Sequence, residues 1–244
     1  MLSARRSSRM KPVPDAEVQR AYRVRITLFL IGTFLIVSIL IVLYRGIATL
    51  NALEQIERER DSWQRPEDVI QALALKEGNA VVDLGSGVGY FALKFSPVVG
   101  KRGSVIAVDI LTQPLLFLRI RAFLRNQHNI QIIHGEPDDP HLQTVMADAV
   151  LIANTYHEFT KPKQILDHVL QSLKRGGRLV ILDHALPSPA TEFPEKRTDH
   201  HEIPAELVDS EIRRAGFEIV SRQDRFVDRA NGEHVWWIIV AQKP

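Results

Sequence analysis

Cysteine is absent from all 244 residues. Disulfides, thiol nucleophiles and zinc–thiolate sites are excluded with it. Also missing is any large excess of one charge. Thirty-one Lys and Arg against 29 Asp and Glu leave a net charge of +2, far from the basic balance that advertises nucleic-acid binding. No internal repeat or low-complexity tract interrupts the chain, which sets aside repeat arrays and disordered linkers. What remains is 45% hydrophobic and 25% charged, ordinary for a globular protein. The length suits one substantial domain with an appendage.

The charges are unevenly placed. Residues 1–25 hold seven basic side chains (Arg5, Arg6, Arg9, Lys11, Arg20, Arg23, Arg25) against two acids. Residues 26–44, ITLFLIGTFLIVSILIVLY, then run for 19 positions without a charge, and a helix of that length spans roughly 30 Å, the thickness of a bilayer core. Tyr22 and Tyr44 flank the run at interfacial depth, with Arg23, Arg25 and Arg45 closing its ends. A buried core helix is rarely apolar on every face for so long. Gly46-Ile47-Ala48 has the spacing of a signal-peptide cleavage site, but the run exceeds the ~7–15 apolar residues of a signal core. The expectation is a basic tail over 1–25, a transmembrane helix in the lipid bilayer over 26–44, a helical connector over 45–65 and the main domain over 66–244. The four basic residues of 45–65 are balanced by four acids, so the Lys/Arg bias alone would retain the N-terminus inside and send the domain out.

Pro66 opens a helix, with Glu67 and Asp68 in the first turn where the helix dipole favours acids. From residue 80 onward strands near 80–84, 104–109, 130–134, 148–153 and 178–183 alternate with helices near 89–97, 113–126 and 162–175. This alternation predicts βαβ units around a parallel sheet. Gly176-Gly177 is the expected stop of the last of these helices. A helix near 204–215 ends at Gly216. Strands near 217–224 and 234–241, turning at Asn231-Gly232, give the sheet an antiparallel ending.

The segment DLGSGVGY, residues 83–90, sits between the first strand and its helix, where glycines expose N–H groups and admit a close ligand. A triphosphate-binding loop needs Lys-Ser/Thr after the last glycine, and Tyr90-Phe91 stand there instead. The loop is one residue tighter than the dinucleotide fingerprint G-x-G-x-x-G. Asp109 ends the second strand 20 residues after Gly89, where an acid can accept both ribose hydroxyls. Spacing thus supports a ribose-containing cofactor and leaves its identity open, with a nicotinamide oxidoreductase as the weaker rival.

The segment VVDLGSGVGYF resembles motif I of the class I S-adenosylmethionine-dependent methyltransferases, and AVDI resembles the acidic end of their second strand. His134-Gly135-Glu136-Pro137, ADAVLIANTYHEF and LKRGGRLVILD continue the resemblance in order. Trp63-Gln64-Arg65-Pro66 and Asn154-Thr155-Tyr156-His157-Glu158 bring it closest to small bacterial members of that family. The resemblance covers about residues 64–242. It implies an α/β, Rossmann-like seven-stranded sheet with an antiparallel last strand, here preceded by one N-terminal transmembrane helix. It further implies that Gly85, Ser86, Gly87 and Gly89 admit the methionyl part of S-adenosyl-L-methionine, that Asp83 orders this loop, and that Asp109 binds the ribose. Glu136 would face the adenine amine, and Asn154 would lie beside the transferred methyl.

His157 titrates in the useful range and follows the fourth strand together with Tyr156, which makes both candidate catalytic residues. The same Tyr-His-Glu turn could instead shape the pocket. Asp199-His200-His201-Glu202 lacks the spaced pairs that share a helix face, and no metal is expected, although a site joining it to His184 is conceivable. Residues 185–203, rich in proline, are expected to form a lid. No D/N-P-P-Y/W motif follows strand four, so no nucleic-acid partner is expected. The expectation is a membrane-anchored methyltransferase acting on a small-molecule or lipid-like acceptor, single-pass in a bacterial inner membrane. Its domain is placed on the cytoplasmic face, against the charge bias, because the cofactor is made in the cytosol. The alternative is a non-catalytic cofactor-binding or scaffolding module on the same fold.

Overall fold

The computed structural model of the chain describes residues 16–185, 202–228 and 235–244. It divides into two units, one ending at Ala52 and the other comprising Leu53–Pro244. What is described of the first is part of a single helix, α1 (Ala16–Trp63), long and apolar enough to cross a membrane. Its large apolar side chains from Tyr22 to Ile47 are exposed, Phe29 and Phe34 among them. The Thr27 and Thr33 hydroxyls donate to the carbonyls of Arg23 and Phe29 one turn back, so neither needs water.

The second unit is built on a seven-stranded sheet in the order β3-β2-β1-β4-β5-β7-β6. Strands β1 (Ala80–Leu84), β2 (Ser104–Asp109), β3 (Ile130–His134), β4 (Ala147–Ala153) and β5 (Leu173–Ala185) pair in parallel. β7 (Val235–Gln242) runs antiparallel to both β5 and β6 (Glu218–Asp228). Helices α2 (Pro66–Ala72), α3 (Tyr90–Val99) and α4 (Thr112–Leu124) cover one face, and α5 (Pro162–Ser172) and α6 (Ala205–Arg214) the other.

Side chains alternate across the sheet. Val81, Val105, Ala149, Val180 and Trp236 pack towards α2–α4, and Val82, Ile106, Val150, Ile181 and Trp237 towards α5 and α6. Both faces are dry, which is why these strands read as continuous apolar runs. Each such side chain contributes about 1.5–3 kcal/mol by leaving water.

One local expectation is corrected. Gly176-Gly177 does not stop a helix; α5 ends at Ser172 and both glycines lie inside β5. Leu173 already pairs with Ala147, and the next pair is Arg178 with Ala149, so residues 174–177 swing out of the ladder as a bulge. The Gly176 N–H donates to the Lys243 carbonyl, and the Lys243 N–H returns to Gly177. The positive φ of 75° at Gly176 serves this clamp. The Asn231-Gly232 turn, most of the expected 185–203 lid, and Asp199, His200 and His201 lie outside the described residues.

The last turns of α1 belong to the second unit. Leu53, Glu57, Arg60 and Gln64 recur at helical spacing and are the partly or fully buried face of this stretch. Glu57 receives the guanidinium of Arg121 from α4, a side chain only 4% exposed, and Arg125 reaches the same carboxylate at 3.0 Å. Arg121 also donates to the Val88 carbonyl at 2.7 Å. Burial acts to raise the Glu57 pKa, but the neighbouring Arg125 and Arg121 outweigh it and hold the carboxyl below its ordinary value. This contribution is present above that ordinary value, 4.5, and is lost as pH falls through the lowered one. Glu57→Ala leaves Arg121 buried without its charge partner and should cost about 3–5 kcal/mol at neutral pH in denaturant unfolding. Replacing both partners, Glu57→Leu with Arg121→Met, should recover most of that loss. An equal loss in the double variant would show that the pair itself is not the linchpin.

Candidate functional site

β1 ends at Leu84, and residues 85–89 turn the chain into α3. The three glycines of this loop do different work. A Cβ on Gly85 would stand 2.3 Å from Thr155 Oγ1, and one on Gly89 would stand 2.2 Å from Leu118 Cδ1. At Gly87 a Cβ would meet nothing within 4 Å, and the backbone there has φ 52°. Gly85 and Gly89 therefore let the loop press against the turn after β4 and against α4, whereas Gly87 faces open space. The Gly85 and Ser86 N–H groups both donate to the Val108 carbonyl at 2.9 Å. The Gly87 N–H donates to Asp109 Oδ2 at 2.7 Å, and the Leu111 N–H donates to Asp109 Oδ1 at 2.9 Å. The end of β2 is thus tied to the glycine loop through one carboxylate.

A cavity of about 520 Å³ opens at the carboxyl ends of β1, β2 and β4. Asp83, Gly85, Ser86, Gly87, Asp109, Glu136 and Asn154 all line it, so every predicted cofactor residue except Gly89 is brought to one place. Ser86 Oγ is buried and meets no hydrogen-bond partner among the described residues, as a site awaiting a polar ligand requires. Asn154 turns the chain off β4 with φ 54°, a conformation asparagine tolerates better than most residues. Its N–H still donates to the Leu182 carbonyl at 2.7 Å. Asp83 is 2% exposed and accepts the Ala92 N–H at 2.8 Å. Burial pushes its carboxyl up to about 7, against the opposing pull of that hydrogen bond and of Arg60.

Sequence reasoning missed Arg60, Tyr90 and Thr155, which also line the cavity. The Arg60 guanidinium lies 3.9 Å from the centre of the Tyr90 ring. The Tyr90 hydroxyl donates to Asp61 Oδ1 at 2.8 Å, and burial raises that phenol above its ordinary range. The available signal was the spacing of Glu57, Arg60, Asp61 and Gln64, one face of the helical connector.

The two candidate catalytic side chains stand elsewhere. Tyr156 is fully buried, its hydroxyl donating to Glu211 Oε2 of α6 at 2.8 Å. His157 is 3% exposed, with Nδ1 2.9 Å from Asp183 Oδ1. Neither is among the described residues that line the cavity. The short 3₁₀ turn Tyr156–Glu158 points both side chains back into the protein, where a carboxylate on β5 and another on α6 capture them. Burial would raise the Asp183 pKa, but hydrogen bonds from His157 and His184 outweigh it and keep the group below its ordinary value. His157, Asp183 and His184 bring possible ligand atoms within 4.8 Å of one another. The Asp183 oxygens already accept the His157 and His184 N–H groups at 3.1 and 2.9 Å as well as facing the His157 ring. Hydrogen bonding therefore accounts for the cluster, which fixes the turn carrying Asn154 and Thr155.

A parallel sheet with one reversed strand, a glycine loop after β1 and an acid ending β2 define the class I S-adenosylmethionine-dependent methyltransferase fold. An S-adenosylmethionine-dependent methyltransferase from Aquifex aeolicus superposes with a TM-score of 0.65 at 20% identity, over 80% of this chain and 98% of its own. The [4+2]-cyclase SpnF superposes with a TM-score of 0.64 at 17% identity, over 74% of this chain and 81% of its own. The same architecture is thus found in a protein named for a different reaction. The chain belongs to the ubiE/COQ5 methyltransferase family, which it matches over residues 44–194. The ubiquinone/menaquinone biosynthesis C-methyltransferase UbiE of Azotobacter vinelandii is 30% identical over 129 residues, covering 52% of this chain and 50% of that one. The chain spans about half the length of the curated relatives it matches.

The different environments of the glycines give a test. Gly85→Ala must displace Thr155 and hold alanine at φ 79°, which should cost about 2–4 kcal/mol of folding stability. Gly87→Ala should cost about 1 kcal/mol yet weaken cofactor binding, because its methyl projects into the space left for a ligand. Unfolding curves and calorimetric titration of both variants separate the two effects. Equal stability losses would contradict the division of roles.

Proposed function

We propose that this chain is a membrane-anchored, S-adenosylmethionine-dependent methyltransferase that acts on a small, apolar or lipid-like acceptor. The observation that carries this reading is the convergence of the glycine loop, Asp109, Glu136 and Asn154 on one cavity. The residues fit the cofactor. Asp109 ends β2 as a ribose acceptor, Gly87 leaves room beside it, Ser86 offers an unused hydroxyl, and Asp83 supplies a carboxylate for a cationic group. The cofactor supplies a methyl group activated on a sulfonium. The chain's part is to hold the acceptor in line with it and exclude water. Phe91, Phe159, Ile110 and Leu111 give the cavity wall the apolar character such an acceptor needs. The curated relatives are named as quinone-pathway C-methyltransferases, so an electron-rich ring carbon on an apolar molecule is the acceptor class to try. His157 serves as a positioning residue, holding the Asn154–Glu158 turn against β5. The domain faces the cytosol, where the cofactor is made.

The alternative is a cofactor-binding module without turnover. It draws support from the burial of His157 and from the cyclase that shares the fold. Asp109→Ala removes a charged acceptor, a loss of about 1.5–3 kcal/mol for even one such hydrogen bond, and should lower cofactor affinity by at least roughly 10–100-fold. Transfer of labelled methyl into the lipid extract should occur in inside-out vesicles given external cofactor and not in right-side-out ones. Tight binding with no transfer in either orientation would leave the scaffold reading, and absence of binding would remove both.

The raised Asp83 pKa adds a pH dependence. The folded chain holds this proton up to about pH 7, whereas an ordinary aspartate releases it near 3.8. The stability linked to Asp83 is therefore full below about 3.8 and lost as pH rises through about 7. A cationic ligand in the cavity favours the ionised form. Cofactor binding should accordingly release a proton near neutral pH and tighten as pH rises through about 7. Calorimetry in two buffers of different ionisation heat reads the proton, and Asp83→Asn should abolish its release.

A further inference from the structure

Outside α1, the large apolar side chains that remain exposed among the described residues are Ile110, Leu111, Leu116, Ile120, Phe123, Leu124, Val145 and Val220. Six of these eight fall within residues 110–124, on the loop after β2 and on α4. Phe123 is 72% exposed and Leu124 63%. Leu116, Ile120 and Phe123 are spaced at i, i+4 and i+7 and form one stripe, while Leu115, Leu118 and Ala122 fill the buried side of the same helix. α4 is therefore apolar on the side turned away from the sheet as well as on the side packed against it. Its charge is also one-sided. No acid occurs from Ile110 to Gly135; Arg119 and Arg125 in that stretch are exposed, while Arg121 is buried against Glu57, which Arg125 also reaches. The patch continues into the site, because Ile110, Leu111 and Pro114 also line the cavity.

We infer that the exposed face of α4, with the Ile110–Leu111 loop, docks on an anionic bilayer surface and opens the cavity to an acceptor dissolved in the lipid. This rests on the reading that the chain is membrane-anchored and its acceptor lipid-like. An apolar stripe edged by arginine is the composition of a helix that lies in the headgroup region. The exposed Arg119 adds about 1 kcal/mol near an anionic surface. A second copy of the chain fits this face less well, since the exposed charge of the face, Arg119 and Arg125, is of one sign and Glu57 beside it is already paired. Tethering makes a weak surface sufficient. Glu57, which is paired with Arg121 on α4, lies 13 positions after Tyr44, the end of the apolar run. Even fully extended that stretch reaches about 45 Å, so α4 always samples a high effective concentration of lipid, whatever the angle of the tether.

The absence of cysteine makes a single introduced thiol a unique reporter. The full chain carrying Phe123→Cys, labelled with an environment-sensitive fluorophore, is placed at one copy per nanodisc of phosphatidylcholine and phosphatidylglycerol. A second sample carries the label at Val220→Cys, on β6 at the opposite edge of the sheet. Spin-labelled lipid should quench most of the emission at Phe123 and little of that at Val220. Adding Leu116→Glu and Leu124→Glu, both exposed and outside the cavity lining, should abolish the quenching with cofactor affinity unchanged. Quenching that is absent, that survives both glutamates, or that appears only with two copies per disc would overturn the proposal, the last in favour of self-association. A chain that docks yet binds no cofactor would retain this surface and remove the methyltransferase reading, so the two failures are distinguishable.

Discussion

The arginine at position 121 is the constraint on which the site depends. It is almost fully buried, and a buried charge persists only with a partner of opposite sign and further hydrogen bonds. Glu57 supplies the charge from α1, and the Val88 carbonyl supplies an acceptor from the glycine loop. Three segments distant in sequence are thereby pinned to one guanidinium. The fork geometry of arginine allows this, since separate nitrogens serve separate partners. With the loop held from outside by Arg121 and from beneath by the Val108 carbonyl, the Gly87 N–H is left aimed at Asp109. A ligand meets a loop already set.

The same logic runs along the other wall of the cavity. Asp183 is fully buried on β5, and it collects both N–H and ring donors from the turn after β4. The turn must curl inward to make these bonds, which leaves Asn154 and Thr155 at the cavity and carries His157 behind it. Thr155 then sits so close to Gly85 that no side chain fits between them. Two buried polar anchors, Arg121 on one side and Asp183 on the other, bring the loop after β1 and the turn after β4 into contact.

Much of this was legible in the sequence, for identifiable reasons. Strands buried on both faces announce themselves as apolar runs, and the glycine loop and Asp109 are separated by the length of one βαβ turn. The misreadings share a cause, which is a partner far away in the chain. Gly176-Gly177 looks like a helix stop until Lys243 is seen to clamp it. His157 reads from the sequence either as a proton-transfer group or as part of a pocket-shaping turn, and its ring stands 2.9 Å from Asp183, 26 residues on. Glu57 and Arg60 read only as part of a helical connector, because the arginine and tyrosine that desolvate them belong to α4 and α3. Local pattern reports what a residue can do, and tertiary contact decides what it does.

That distinction bears on how the long apolar helix and the cavity belong together. A soluble enzyme for a soluble substrate would gain nothing from an apolar outer face on α4, and exposed patches of this kind mark a surface for binding. Here the patch occupies the helix that receives Glu57, and the loop leading into that helix is also cavity wall. The helix therefore meets the connector, the glycine loop and the ligand space at once. An apolar acceptor in a bilayer has little reason to cross water, and a domain that presents its cavity at the lipid surface spares it that passage. On the proposed reading, the long apolar helix and the helix that frames the cofactor loop are parts of one device, joined where Glu57 meets Arg121 and Arg125.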